Sequence, residues 1–417
     1  MVIVRTNFLT KGMTIPRRKL LAVVLLFSSS FAWFFVFYRE LDVMASPNVA
    51  PESFWIDAGL MSLLVSIVIS ALLGSYISGK VNRRRLVLLW LIVGVLVTIP
   101  ILLLQGDEFL VIWGAIAGLS FGIGFPSCLA YLAESTAPDE RGRVAGIAVL
   151  VTFILLIFSM LLIDGLGLKS TGILLLTLGI KSIGFLSFKL DSIGEVRKEA
   201  KPWRAILGYR DFNRYFLAFV LFMVAAGLVS LVWQGIATGP DYIEVERTAL
   251  LLRYLGLIVF ATIAGVMADR IGRKKPIIAG LVMLGAAYAI VVLLTTPEIY
   301  FVNLLLSGFA WGIIIVVYLV VPGDLAFLGS TERFYTVGWV LPLILYTGIQ
   351  GVGRFVDFPI RTEIFSMILT MVLFVAIIPL LSAVETLSES KIRETELRKH
   401  AEKVSKLIQE THETDEK

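Results

Sequence analysis

The sequence predicts an all-α membrane protein of twelve transmembrane helices, arranged as two six-helix bundles. Of its 417 residues, 58% are hydrophobic and only 17% are charged, whereas soluble domains are about 45–50% apolar and about 25% charged. The apolar residues form twelve runs, and each is close to the roughly 20 residues that a helix needs to cross a bilayer. The lysines and arginines are concentrated between alternate runs, which is typical of a multi-pass protein.

The runs divide into two sets of six. The first, 20–38, is about as long as a full span and lacks an Ala-x-Ala cleavage site, which favours a helix over a signal peptide. The other eleven lie at 54–79, 86–105, 109–133, 144–166, 171–188, 213–235, 248–268, 276–295, 299–321, 336–356 and 364–384. We therefore predict an N-terminal bundle over 1–188, a cytoplasmic linker over 189–212, a C-terminal bundle over 213–386 and a cytoplasmic charged tail over 387–417.

The positive charge predicts orientation. With both termini in the cytoplasm, about 30 of the 37 lysines and arginines lie in cytoplasmic segments, as the positive-inside rule expects. We interpret the net charge of +5 in this way and expect no nucleic-acid partner. The expected location is the plasma membrane.

Several kinds of site are excluded by composition. The single cysteine, Cys128, allows no internal disulfide, and the two histidines, His400 and His412, both lie in the tail. No phosphate-binding loop of the form Gly-x4-Gly-Lys-Ser/Thr occurs. We expect no metal, no cofactor and no enzymatic activity.

Two loop sequences recur in the two halves, which indicates a duplication. SYISGKVNRR at 75–84 follows the second run, and GVMADRIGRK at 265–274 follows the eighth. Likewise ESTAPDERGRVAG at 134–146 follows the fourth run, and DLAFLGSTERFYTVG at 324–338 follows the tenth.

The segment 265–274 resembles the loop motif of the major facilitator superfamily, Gly-x-x-x-Asp-Arg-x-Gly-Arg-Lys, at every defining position. Gly272 permits the positive φ of a tight turn, and Gly265 allows a neighbouring backbone to approach closely. The resemblance implies the fold of that superfamily, with Asp269 and Arg270 holding the two halves together on the cytoplasmic side. The alternative is a basic loop that only anchors the chain at the inner leaflet.

The first-half copy of the motif is degenerate. Gly79 stands in the place of the acid, while Lys80 and Arg83 remain basic. We therefore expect the gate to depend more on Asp269 and Arg273.

The loop at 134–146 also resembles a superfamily loop, in which Glu134 is expected to bridge to Arg141 or Arg143. The complete predicted gating set is Gly265, Asp269, Arg270, Gly272, Arg273, Lys80, Arg83, Glu134, Arg141, Asp324 and Arg333.

Glycines recur at spacing four in the fourth and tenth runs, as Gly114, Gly118 and Gly122 and as Gly308 and Gly312. This pattern favours tight helix packing. The alternative is an interface at which the two halves slide during transport.

By analogy with the superfamily, the first, fourth, seventh and tenth helices line a central cavity. Their middles carry no acid and no histidine, which favours a neutral or amphipathic organic solute and weak or unusual proton coupling. The predicted substrate-binding residues are Trp33, Ser120, Gln234, Asn303 and Trp311. Each could instead be ordinary packing.

Three cations remain to be explained within or near the spans. Lys181 could snorkel to the headgroups or serve a function. For Arg253 three interpretations stay open: snorkelling, an ion pair with Asp57 or Glu246, or contact with substrate. Arg354 is expected to pair with Asp357, three residues on.

The predicted function is secondary active or facilitative transport of a small organic solute by alternating access. The partners expected are the solute, the lipid bilayer and, where transport is coupled, a proton or sodium ion. We expect a monomer. The alternative is a membrane sensor or scaffold that has kept the fold and lost transport, and a membrane-embedded enzyme has less support.

Overall fold

The computed structural model describes residues 12–45, 54–102, 106–194, 200–236, 240–293, 297–352 and 362–387. Within these ranges all regular structure is helical. The twelve principal helices are α1 (Arg17–Ala45), α2 (Phe54–Ile77), α3 (Arg83–Leu96), α4 (Phe109–Glu134), α5 (Arg141–Leu166), α6 (Ser170–Ile183), α7 (Arg210–Ile236), α8 (Pro240–Ile271), α9 (Lys274–Leu293), α10 (Pro297–Leu325), α11 (Leu341–Val352) and α12 (Thr362–Val375).

Shorter helical pieces extend several of these helices. A 3-10 turn, Pro100–Leu102, follows α3, and a 3-10 turn, Gly184–Leu186, with a short helix, Ser187–Leu190, continues α6. The predicted linker contains a further short helix, Trp203–Leu207. Thr331–Tyr335 and a π-helical turn, Thr336–Val340, lead directly into α11, and Ile377–Leu381 follows α12.

Nine helices in the described ranges are long and apolar enough to cross a membrane: Arg17–Leu41, Phe54–Ile77, Phe109–Glu134, Arg141–Leu166, Ser170–Leu190, Arg210–Ser230, Thr248–Ile271, Glu298–Leu325 and Ile364–Leu381. The prediction of an all-helical, multi-pass membrane protein is confirmed. Each of the twelve predicted runs overlaps one of the helices α1–α12. The number of spans and the placement of the termini in the cytoplasm stay predictions.

The helices pack in a repeated pattern. In the first half, α1–α6, helix α2 packs along α4, and in the second half, α7–α12, helix α8 packs along α10. Between the halves, α5 packs on α8 and α2 on α11. These two contacts are equivalent in the repeat, because α2 corresponds to α8 and α5 to α11, as a duplicated chain predicts.

Glycines allow these helices to approach closely inside each half. A Cβ built on Gly114 would lie 2.1 Å from the Gly59 carbonyl oxygen of α2, and one built on Gly308 would lie 2.4 Å from the Arg253 carbonyl oxygen of α8. The first contact lies within the first half of the molecule and the second within the second half. The glycine stripes are therefore tight packing, and the alternative that they form the sliding interface between halves is wrong.

One end of the molecule carries the basic loops and is named the basic face. Here α2, α4, α8 and α10 end and α3, α5 and α9 begin. The loops at this end carry Arg83, Arg141 and Arg273. The two predicted motif pairs therefore meet at a single face of the bundle.

Candidate functional site

The second-half motif forms a tight turn between α8 and α9. Gly272 has φ +92°, the conformation that favours glycine, as predicted. The backbone N–H groups of Arg273 and Lys274 donate to the carboxylate of Glu385, over 2.7 and 3.1 Å. Glu385 was not predicted, because it lies more than a hundred residues away in sequence, just after the twelfth run.

Asp269 reaches across to the first half. Its carboxylate accepts hydrogen bonds from the backbone N–H groups of Gly142 (2.8 Å) and Arg143 (2.9 Å), at the start of α5, and from Arg143 Nε (3.2 Å). A helix N-terminus is a favourable site for an anion. Gly265 makes this approach possible, because a Cβ there would lie 2.4 Å from the Gly142 carbonyl oxygen.

Arg273 is fully buried at the centre of the basic face. Its Nε lies 2.9 Å from Asp324 Oδ2, and its Nη1 lies 3.3 Å from Asp269 Oδ1. Nη2 donates to the Pro138 carbonyl oxygen of the first half. Burial opposes the charge, but Asp324 and Asp269 raise the pKa of the Arg273 guanidinium above its ordinary value. The group therefore remains a cation that joins both halves.

The predicted bridge from Glu134 to Arg141 or Arg143 is wrong. Arg141 forms an ion pair with Asp324 of the second half. Its Nη2 also donates to the Ala133 carbonyl oxygen over 2.7 Å. The guanidinium therefore lies over the end of α4 and points across the interface, away from Glu134.

Glu134 instead pairs with Arg83, the first residue of α3. Arg83 Nη1 lies 2.8 Å from Glu134 Oε2, within the first half, and Arg83 Nη2 lies 2.6 Å from Glu332 Oε1 of the second half. All three side chains are largely buried, with exposures of 4, 16 and 9%. Glu332 is a second functional candidate that sequence reasoning missed.

The two halves arrange their charges differently. Residues 190 apart are equivalent in the repeat, so Gly79 corresponds to Asp269 and Gly142 to Glu332. In the second half the motif carries the acid and the facing helix start offers backbone N–H groups. At the first-half motif the arrangement is reversed. The motif carries the cation Arg83, and the helix start that faces it from the second half carries the acid Glu332. The missing acid at position 79 is thus replaced by one across the interface.

Two cations of the predicted gating set, Lys80 and Arg333, form no ion pair within the described residues. Lys80 is exposed and donates to the Tyr76 hydroxyl over 2.7 Å. Arg333 donates to the Lys201 carbonyl oxygen and lies over the Trp203 ring, 5.4 Å from its centroid. Arg270 is half-buried at the end of α8.

A central cavity of about 530 Å³ lies between the halves, lined by α1, α2, α4, α5, α7, α8, α10, α11 and the π-helical turn before α11. It lies away from the basic face. On α1, for example, its lining begins at Phe31, which is about 20 Å along the helix from Arg17. Phe31, Phe125 and Trp339 pack together between the cavity and the ion pairs, with ring centroids 5.3–5.8 Å apart.

A side cavity of about 400 Å³ lies within the second half. It shares four lining residues with the central cavity: Arg253, Trp311, Tyr346 and Gln350. These side chains therefore stand between the two spaces.

The predicted substrate-binding residues are only partly brought together. Trp311 lines both cavities, and Asn303 lines the side cavity while its Nδ2 donates to the Ala287 carbonyl oxygen over 2.7 Å. Trp33 and Ser120 are buried and belong to neither lining. The side chain of Gln234 lies outside the described residues, as does the pair of Arg354 and Asp357.

Lys181 does not snorkel. Its side chain is completely buried, and Nζ lies 3.9 Å from the ring centroid of Trp90 and 4.8 Å from that of Trp33. Nζ also donates a hydrogen bond to Ser30 Oγ, over 3.4 Å. The helix turns Lys181 inward, where the two tryptophan faces stabilise an ammonium.

The central cavity is also less neutral than the sequence predicted. The prediction considered four lining helices, but α8 and the far end of α1 also contribute, and they add Arg253 and Arg39. Arg253 therefore faces the cavity, which favours substrate contact over snorkelling. The side chain of Glu246, one of its two predicted ion-pair partners, lies outside the described residues.

Comparison with known proteins agrees with this architecture. The human organic anion transporter MFSD10 (TETRAN) has a similar structure, with a TM-score of 0.66 over 87% of this chain and 99% of that one, at 14% sequence identity. Among curated proteins, none matches the sequence significantly. The sequence profile of the Major Facilitator Superfamily matches residues 20–327. This chain therefore belongs to the Major Facilitator Superfamily of membrane transporters.

Proposed function

We propose that this protein carries a small organic solute across the plasma membrane by alternating access, with the basic face and both termini in the cytoplasm. The single observation that carries the proposal is the combination of a cavity between the two halves with a closed network of ion pairs on one side of it. A solute can then leave the cavity toward the cytoplasm only when these ion pairs separate.

The halves would move as the predicted bundles, 1–188 and 213–386, with 189–212 as the connecting segment and 387–417 as a tail. Ion pairs within one half, such as Arg83 with Glu134, would persist during rocking. Those between halves, such as Arg83 with Glu332 and Arg141 with Asp324, would break and form again. Transporters of this kind expose a site near the midplane alternately to each side.

The degenerate first-half motif would favour the alternative of a sensor or scaffold if it left the first half without a gate. Arg83 still reaches across the interface to Glu332. A complete set of ion pairs on the basic face supports a working gate, and with it transport.

The test is uptake by the purified full-length protein in liposomes, with a broad panel of neutral, anionic and cationic solutes. Uptake is compared with and without proton and sodium gradients. Saturable flux of one solute class supports the proposal, and flux unaffected by a pH gradient supports the predicted weak proton coupling. Saturable binding with no flux of any solute would support the sensor.

A further inference from the structure

The described residues of the cavity walls carry positive charge and include no acid. Arg39 and Arg253 line the central cavity, Arg253 also lines the side cavity, and neither set of described lining residues includes an aspartate or glutamate. Arg39 is already paired, because its Nε lies 3.0 Å from Glu40 Oε1. Arg253 forms no ion pair within the described part of the chain.

An unpaired guanidinium at membrane depth is costly, and it is normally retained for a function. Arg253 is half-buried and lies between two empty spaces. An anion entering either space would find a cation that forms no ion pair within the described part of the chain. A cationic solute would meet repulsion and no compensating carboxylate.

The backbone beneath Arg253 is held firmly. Gly308 of α10 lies directly on it, since a Cβ at Gly308 would be 2.4 Å from the Arg253 carbonyl oxygen. One turn on, Gly312 packs in the same way on Leu257, again at 2.4 Å. This close crossing of α8 and α10 holds the backbone of Arg253 in place. Such preorganisation is what a binding site needs.

The rest of the wall suits an apolar body. The rings of Trp311 and Tyr346 lie beside Arg253, with centroids 5.0 Å apart. Trp339 also lines the central cavity, and its buried indole N–H has no hydrogen-bond partner among the described residues. Trp339 belongs to the π-helical turn Thr336–Val340, a distortion that occurs frequently at functional sites. A ligand acceptor group would satisfy that donor.

We propose that the central cavity binds an amphipathic organic monoanion, with its acid group at Arg253 and its apolar body against the aromatic wall. This inference rests on the proposed transport function and names its substrate class. The cavity of about 530 Å³ is within the range of small-molecule sites, about 300–1,000 Å³. A dianion is disfavoured because the second cation, Arg39, is neutralised by Glu40.

The test compares three probes of similar shape: naphthylacetate, naphthylacetamide and naphthylethylammonium. Binding is measured by thermal stabilisation of the purified full-length protein, and uptake is measured in liposomes. We expect saturable binding and uptake of naphthylacetate alone. Arg253→Gln should weaken its binding about tenfold or more, as the loss of a charged hydrogen bond does, and Arg253→Lys should restore part of it. Arg214→Gln, at the basic face and outside both cavities, is the matched control and should bind as the wild type does.

Equal binding of naphthylacetate by the wild type and Arg253→Gln would overturn the assignment of Arg253. Preference for the amide or ammonium probe, or no binding of naphthylacetate by the wild type, would overturn the anionic substrate class. Neither result removes the proposed function. That function fails separately, if the wild type carries no member of the broad solute panel.

Discussion

Replacing Glu332 by glutamine should weaken the closed state of the basic face while leaving each half intact. The carboxylate lies 2.6 Å from Arg83 Nη2 and links this arginine to the second half. Glutamine keeps an acceptor of the same shape but loses the charge. Glu134 still pairs with Arg83, so no uncompensated cation remains and the cost should be moderate.

The magnitude follows from the bond that changes. A hydrogen bond to a charged group contributes about 1.5–3 kcal/mol and a neutral one about 1 kcal/mol. The difference, about 1–2 kcal/mol, corresponds to a shift of roughly five- to thirtyfold in the ratio of open to closed molecules. Arg83→Gln should cost more, about 3–5 kcal/mol, because it leaves two buried carboxylates without a cation.

The assay is the distance distribution between spin labels at Lys80, in the loop after α2, and Lys275, at the start of α9, which are both exposed. The labels are introduced as cysteines after Cys128, buried at 1% exposure, is replaced by serine. Glu332→Gln should increase the population with long distances. Glu134→Gln is the matched control, because its bond to Arg83 lies within one half and should exist in both states.

A second substitution provides a rescue. Gly79→Asp restores the acid of the motif, and a Cβ there meets only the Tyr76 carbonyl oxygen, at an ordinary 3.7 Å. Added to Glu332→Gln, it should return the distances toward those of the wild type. Unchanged distances in Glu332→Gln, or an equal shift in Glu134→Gln, would refute the reasoning.

Three further predictions use the same protein. Asp269→Asn removes the charge that joins α8 to the start of α5, and it should open the basic face more than Glu332→Gln does in the spin-label assay; equal distances would contradict it. Gly265→Ala places a Cβ 2.4 Å from a carbonyl of α5 and should favour the open state and slow uptake. Gly146→Ala, at 3.0 Å, is its milder control, and an equal effect of the two would contradict the packing argument. Lys181→Met keeps the side-chain volume and removes a buried charge, so the unfolding temperature should stay level or rise, whereas Lys181→Glu should lower it. Unfolding is followed by dye labelling of the buried Cys128. A large drop in the unfolding temperature of Lys181→Met would contradict this and show that the ammonium stabilises the fold.

The helices could be predicted because the bilayer imposes their length and composition. The start of the eleventh helical segment was missed for a local reason. Glu332 and Arg333 made 331–335 resemble a loop, yet they occupy a short helix that continues through a π-helical turn into α11. Charges at the start of a helix are compatible with membrane spanning when they lie at its polar end and have partners there.

Sequence reasoning anticipated the backbone features that lie within one motif, and it missed the ion pairs whose partners are distant in sequence. Gly272 and Gly265 have the roles that their loop motif predicts. Glu332 lies 249 residues from Arg83, and no local pattern connects the two. Snorkelling of Lys181 was left open because spacing along α6 does not show which tryptophans other helices bring to it. Pairing between segments this far apart is decided by the tertiary fold.

At the basic face the acid that pairs with the first-half motif lies in the second half. This limits how freely either half can be combined with a half of another protein of the same fold. A half that carries glycine at position 79 needs a partner half with an acid at position 332. If a first half with an acid at position 79 were joined to this second half, two carboxylates would share Arg83 and Glu134 would bring a third. Chimaeras made by exchanging whole halves should therefore fail at this loop before they fail at the cavity. The duplicated halves are structurally alike, but in charge they form a matched pair.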